Sequence, residues 1–135
     1  MNGAWRNWLF GIAALYDGVL GVTFFFFWPW VFRLFDVIPP NHGGYVQFPA
    51  CLLILFGLMF LRIARDPVAN RDLIPYGMGL KAAYSGLVFW YQLTAGVPAM
   101  WIPWAWLDLV FLVLFVVAWR QPVAAAAGRP ARAVR

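Results

Sequence analysis

The chain has 135 residues, of which 64% are hydrophobic and only 11% are charged. This balance is too apolar for an ordinary soluble domain, and it predicts a single integral membrane domain. The net charge of +5 does not indicate a nucleic-acid partner, because the basic residues flank apolar stretches and do not form a surface patch.

Four stretches each approach the roughly 20 apolar residues that a membrane-spanning helix needs. They cover residues 7–28, 46–64, 74–95 and 100–119. We therefore predict an all-α, integral membrane four-helix bundle over residues 1–120. Residues 121–135 are rich in Ala, Pro, Gly and Arg and have nothing to bury, which predicts a disordered basic cytoplasmic tail.

The first stretch follows a basic residue, Arg6, as in a signal peptide, but it is long and lacks a small-residue cleavage site. We interpret it as a retained first span. An aromatic, weakly amphipathic segment runs from Trp28 to Ile38, and turn-forming residues begin at Pro39. This composition predicts a short interfacial segment between helices 1 and 2, with Trp28 and Trp30 at the lipid headgroups.

The distribution of the basic residues predicts how the chain is oriented in the membrane. Arg6 precedes the first span, three arginines lie in or beside the second connection, and four arginines follow the last span. In a chain of four spans these regions share one side, and the other side holds only Arg33. The positive-inside rule therefore predicts a multi-pass protein with its N-terminus and C-terminus in the cytoplasm.

Three charged residues, Asp17, Lys81 and Asp108, lie inside predicted spans. Charge at membrane depth costs about 2.5–3.5 kcal/mol per residue on insertion scales, so such residues usually face a bundle interior and mark a pathway or binding site. All three lie about 10–18 Å from the predicted cytoplasmic helix ends. We expect Lys81 to pair with Asp17. The carboxylate in excess is expected to be protonated or to meet a tyrosine hydroxyl, Arg62 or water.

The third predicted span carries a polar stripe. At about 100° per residue, its polar residues share one arc of the helix and its apolar residues occupy the opposite side. A polar stripe in a bilayer must face protein or water. The predicted midplane cluster therefore contains Asp17, Lys81, Tyr84, Ser85, Tyr91 and Asp108. The alternative is a purely structural role, since interhelical polar contacts in membranes average only about 0.6 kcal/mol.

Conventional catalytic and metal-binding patterns are not evident. His42 is the only histidine, and a turn position explains it better than a metal site, because no second ligand lies at the necessary spacing. Cys51 is the only cysteine, which excludes an intramolecular disulfide and a CxxC redox pair. We predict no metal and no cofactor, assign no catalytic residue, and lean against an enzyme.

Residues 73–84 (LIPYGMGLKAAY) and 102–111 (IPWAWLDLVF) resemble small uncharacterised bacterial four-span membrane proteins. In size and span count the chain is also similar to the DoxX group, which is linked to quinone redox chemistry, and to the sterol-isomerase-like EXPERA group. The first resemblance implies the bacterial inner (plasma) membrane as the location. Neither group shares a motif that would assign a catalytic role to a residue of this chain.

Three classes of function remain open, and in each of them membrane lipids surround the protein. In the first, the bundle binds a lipid, a quinone or another apolar small molecule in a pocket whose predicted walls are Tyr84, Tyr91, Trp101, Trp104 and Phe111. In the second, it is an accessory or assembly subunit of a larger membrane complex, or a homo-oligomer. A small proton-coupled transporter ranks third. That function would need an antiparallel or dual-topology dimer, and the concentration of arginines on one predicted side argues against dual topology.

Overall fold

The computed structural model describes residues 3–122, which contain helices and their connections. The long helices are α1 (Ala4–Leu34), α2 (Gly44–Arg65), α3 (Ile74–Thr94) and α4 (Ile102–Arg120). Single 3₁₀ turns, Arg71–Leu73 and Ala99–Trp101, lead into α3 and α4. The all-α prediction is confirmed. Of the predicted tail, residues 121–135, all but positions 121 and 122 lie outside the described residues.

Three helical segments are long and apolar enough to cross a membrane: Ala4–Leu34, Gly44–Arg65 and Ala99–Arg120. α3 has 21 residues, a length of about 32 Å, but its composition is more polar because it carries groups such as the buried Lys81 and Ser85. The fold is therefore that of a membrane protein in which one more polar helix packs with three apolar ones.

α1 is longer than predicted and bends near its end. The helix continues through the predicted interfacial segment to Leu34, with non-helical backbone at Phe27 (φ −121°, ψ 15°). Pro29 explains the bend, since proline lacks an N–H and its ring clashes with the carbonyl four residues earlier, that of Phe25. The freed Phe25 carbonyl accepts a hydrogen bond from Gln47 Nε2 of α2 at 3.3 Å, so α2 supplies the donor that Pro29 lacks.

The helices pack chiefly as two pairs, α1 with α2 and α3 with α4. Small residues bring the first pair together: a Cβ atom at Gly21 would lie 2.8 Å from the Ala50 carbonyl oxygen, and one at Gly57 would lie 3.1 Å from that of Ala14. Such close backbone approach is typical of helix packing in membranes. The connection between α3 and α4 turns at Gly96, whose φ of 80° favours glycine.

One end of the bundle collects the basic residues. Here Trp5 Nε1 donates a hydrogen bond to Gln121 Oε1 at 3.2 Å, and Asn7 Nδ2 donates one to the Ala64 carbonyl at 2.7 Å. The start of α1 therefore meets the ends of α2 and α4. Within residues 3–122, this end carries Arg6, Arg62, Arg65, Arg71 and Arg120, whereas the opposite end carries Arg33.

An aromatic core fills the half of the bundle nearer the basic end. The ring centroids of Phe10 and Phe115 are 4.8 Å apart, and those of Phe60 and Phe115 are 5.2 Å apart. Gly77 of α3 packs directly against the Phe60 ring. Because these contacts join all four helices, the core closes the basic end of the bundle and packs beside the charged residues.

Candidate functional site

Lys81 of α3 lies between two carboxylates that come from two other helices. Its Nζ atom is 2.6 Å from Asp17 Oδ1 on α1 and 3.0 Å from Asp108 Oδ1 on α4. The Lys81 and Asp17 side chains are fully buried, and that of Asp108 is 7% exposed. The predicted pairing of Lys81 with Asp17 is present in the structure, and Asp108 joins the same ammonium group. We call these three residues the charged cluster.

Three aromatic rings also lie close to the Lys81 ammonium. Nζ is 4.8 Å from the ring centroid of Tyr16, 5.5 Å from that of Phe111 and 5.8 Å from that of Phe60, all within cation–π range. Tyr16 also lies beside the Asp108 carboxyl group. Tyr16 was not predicted from the sequence, because residues adjacent in sequence point about 100° apart on a helix. Its position next to Asp17 was the one signal that could have indicated it.

The charged cluster holds two carboxylates against one ammonium. Asp17 Oδ2 is buried and has no hydrogen-bond partner among residues 3–122. Arg62, one of the partners considered from the sequence, is exposed, and its Nε donates to Asn70 Oδ1 at 3.0 Å. A buried acceptor without a partner costs about 1–3 kcal/mol, and more when charged. The cluster therefore retains acceptor capacity that the described side chains do not use.

The other predicted residues of α3 fall into two groups. Ser85 is buried and its Oγ donates to the Lys81 carbonyl at 2.6 Å, while the Tyr84 hydroxyl donates to the Trp101 carbonyl at 3.1 Å. Both therefore lie next to the charged cluster with their donors already engaged. Tyr91 is a correction: it is 52% exposed and lies about 15 Å along the helix from Lys81, so it does not join the cluster.

A cavity of about 290 Å³ adjoins the charged cluster. Asp17 and Asp108 line it, whereas Lys81 does not. The carboxylates therefore form its polar floor, and the ammonium group lies behind them. Three of the predicted wall residues, Tyr84, Trp101 and Trp104, line the cavity; Tyr91 and Phe111 are not among its lining residues.

The mouth of the cavity lies beside the first half of α2. The exposed residues of its lining, Tyr45, Pro49 and Leu52, all belong to this part of α2. The remainder of the lining is buried or half-buried, as at Ala50 and Leu80. The cavity thus opens sideways, in the half of the bundle away from the basic end.

The two remaining sequence candidates lie outside this site. His42 occupies a turn, where its Nδ1 accepts a hydrogen bond from the Gly44 N–H at 3.0 Å. Cys51 is a half-buried free thiol. Over residues 3–122, no group of three or more His, Cys, Asp or Glu side chains is arranged to hold a metal ion.

Comparison with family models, with curated proteins and with solved structures finds no match to this chain. The resemblance to small bacterial four-span proteins, and to the DoxX and EXPERA groups, therefore stays a prediction. Function is consequently argued from the geometry and chemistry of the site, because a fold alone does not specify an activity.

Proposed function

We propose that this protein is a membrane helical bundle that binds a mostly apolar small molecule, such as a lipid or a quinone, in the cavity beside the charged cluster. The observation that carries the proposal is the cavity of about 290 Å³, whose apolar and aromatic walls meet the carboxylates of Asp17 and Asp108. An apolar pocket with a few convergent polar groups is typical of small-molecule sites. A fully packed interior would instead favour the accessory-subunit alternative.

The proposal places the protein in the bacterial inner membrane with four spans and with both termini in the cytoplasm. α3 supports a fourth span because it is two-sided: Lys81 and Ser85 are buried, whereas Leu87 and Trp90 are 59% and 64% exposed. Its apolar side is therefore suited to lipid. The arginines gathered at the end where α1 begins and α4 ends support the orientation, because cytoplasmic regions carry the excess of positive charge.

The volume of the cavity limits what it encloses. At about 290 Å³ it lies just below the range of about 300–1,000 Å³ for ligand pockets. It therefore holds a compact molecule, or the head of a longer lipid whose tail leaves through the mouth beside Pro49 and Leu52. In the proposed orientation this mouth faces the outer half of the bilayer, so a ligand reaches the site from the membrane.

Mass spectrometry of the small molecules retained on purification tests the proposal. Leu53→Trp places a large ring in the cavity lining, and Leu55→Trp makes the same substitution two residues away on the lipid-facing side, where Leu55 is 59% exposed. We expect wild type and Leu55→Trp to retain an apolar molecule that Leu53→Trp has lost. The thermal stability of each purified variant controls for misfolding.

Equal small-molecule content in three folded proteins would contradict the proposal. The same preparations also test the second candidate, since an accessory subunit would copurify stoichiometrically with a larger partner whether or not the cavity is filled. Loss of a protein partner in Leu55→Trp alone would place the functional surface on the outside of α2, away from the cavity.

A further inference from the structure

We infer that the cavity selects ligands whose head group donates hydrogen bonds, such as a hydroxyl, and rejects anionic head groups. This inference rests on the proposed function, since it specifies the chemistry of a molecule bound in the same cavity. It favours hydroxyl-bearing lipids and the reduced, hydroxyl form of a quinone over the quinone itself and over fatty acids.

The floor of the cavity presents acceptors. Asp17 and Asp108 line it, whereas the ammonium of Lys81, the strongest donor nearby, does not. The Tyr84 hydroxyl, which also lines the cavity, is engaged as a donor to the Trp101 carbonyl. Tyr16 also lines the cavity, and its hydroxyl lies beside the Asp108 carboxyl group. At the floor, a ligand carbonyl oxygen therefore meets two carboxylates, while a ligand hydroxyl meets groups that accept its proton in a hydrogen bond.

The carboxylate oxygens of Asp17 and Asp108 can also accept more hydrogen bonds than they do. A carboxylate offers about four lone-pair sites, and the two carboxylates share the ammonium of Lys81 at 2.6 and 3.0 Å. Asp17 Oδ2 is fully buried with no hydrogen-bond partner among residues 3–122, and the Asp108 side chain retains 7% exposure. Asp108 is thus the carboxylate within direct reach of a ligand, and an anionic head group there would face a like charge.

Three matched probes test the inference on the full chain in nanodiscs of a zwitterionic lipid, with empty nanodiscs as the control for partitioning. 4-Hexylphenol carries a donor, 4-hexylanisole replaces the donor by a methyl ether, and 4-hexylbenzoate is anionic at neutral pH. We expect the phenol to bind about 10- to 150-fold more tightly than the anisole, the range for a hydrogen bond to a charged group. The benzoate should bind most weakly of the three.

Asp108→Leu connects the selectivity to the carboxylate. It removes the acceptor in direct reach but leaves Lys81 and Asp17 as a balanced pair, so the variant is expected to fold. The preference for the phenol should fall to about 2-fold or less once no charged acceptor remains in reach, and binding of the benzoate should improve. Asp72→Leu, which removes an exposed carboxylate in the second connection, is the matched control and should preserve the preference.

The outcomes separate this inference from the function on which it rests. If the phenol and the anisole bind wild type equally and neither binds Leu53→Trp, the head-group selectivity is overturned but the proposed binding function is supported. A preference for the phenol that persists in Asp108→Leu also overturns it. Binding of all three probes that is unaffected by Leu53→Trp, or no binding at all, overturns both.

Discussion

Asp17 and Asp108 approach the same Lys81 ammonium, but only Asp17 makes a hydrogen bond of good geometry to it. Both residues line the cavity floor, but the Asp17 side chain is fully buried, whereas that of Asp108 is slightly exposed. The two carboxylates therefore have different surroundings despite their shared partner. This difference suggests a division of roles, with Asp17 holding the helices together and Asp108 facing the cavity.

Asp17→Leu should destabilise the fold more than Asp108→Leu does. Loss of a buried hydrogen bond to a charged group costs about 1.5–3 kcal/mol, well above the average of about 0.6 kcal/mol for polar contacts between membrane helices. We expect a loss in that higher range for Asp17→Leu and a loss below about 1 kcal/mol for Asp108→Leu, because Asp108 makes no such hydrogen bond. Reversible unfolding in mixed detergent measures both; equal losses would contradict the division of roles.

Lys81→Met should be the most damaging single change in the charged cluster. It leaves two buried carboxylates without a cation, and removing one partner from a buried ion pair costs about 3–5 kcal/mol. The triple variant Asp17→Asn, Lys81→Met, Asp108→Asn carries no unpaired charge and should recover much of this loss. The free energies of unfolding of the single and triple variants decide the point. A triple variant no more stable than Lys81→Met would show that the unpaired carboxylates are not the cause of the loss.

The sequence predicted the helices and most of the site because both follow from local geometry. Apolar runs of the right length indicate helices, and rise per residue placed Asp17 and Lys81 at matching depths. The same helical wheel misplaced Tyr91, which lies about 80° around the helix from Lys81, is 52% exposed and is about 15 Å away along the helix. The length of α1 was missed for a tertiary reason: Pro29 indicates a helix end, but Gln47 from another helix supplies the lost hydrogen bond.

Gly77→Ala should destabilise the aromatic core. A Cβ atom there would overlap the Phe60 ring and lie 3.3 Å from Phe115 Cε2, and overpacking of a tight core costs about 1–3 kcal/mol. Gly79→Ala is the matched control on the same helix, because a Cβ atom at Gly79 meets no atom within 4 Å. Unfolding measurements should show a loss for the first variant and none for the second. Equal stabilities would mean that the Phe60 ring moves freely.

Alkaline phosphatase fusions test the proposed orientation. The enzyme is active only where it is exported, so a fusion after Asn41, between α1 and α2, should be active. Fusions after Asp66 and after Arg120 should be inactive, because both positions lie at the basic end of the bundle. The opposite pattern would reverse the topology. Activity after Asp66 with inactivity after Arg120 would place these two positions on opposite sides, so only one of α3 and α4 would span.

The hydrogen bond from Gln47 to Phe25 should matter only because Pro29 is present. Gln47→Leu leaves the Phe25 carbonyl without a donor in an apolar setting, which costs about 1–3 kcal/mol. In the Pro29→Ala background, the restored backbone N–H of residue 29 satisfies that carbonyl, so the same Gln47→Leu change should cost less than about 0.5 kcal/mol. A double-mutant cycle of unfolding free energies measures the coupling. If Gln47→Leu costs the same in both backgrounds, the side chain stabilises α2 by packing alone, and the bend in α1 does not depend on it.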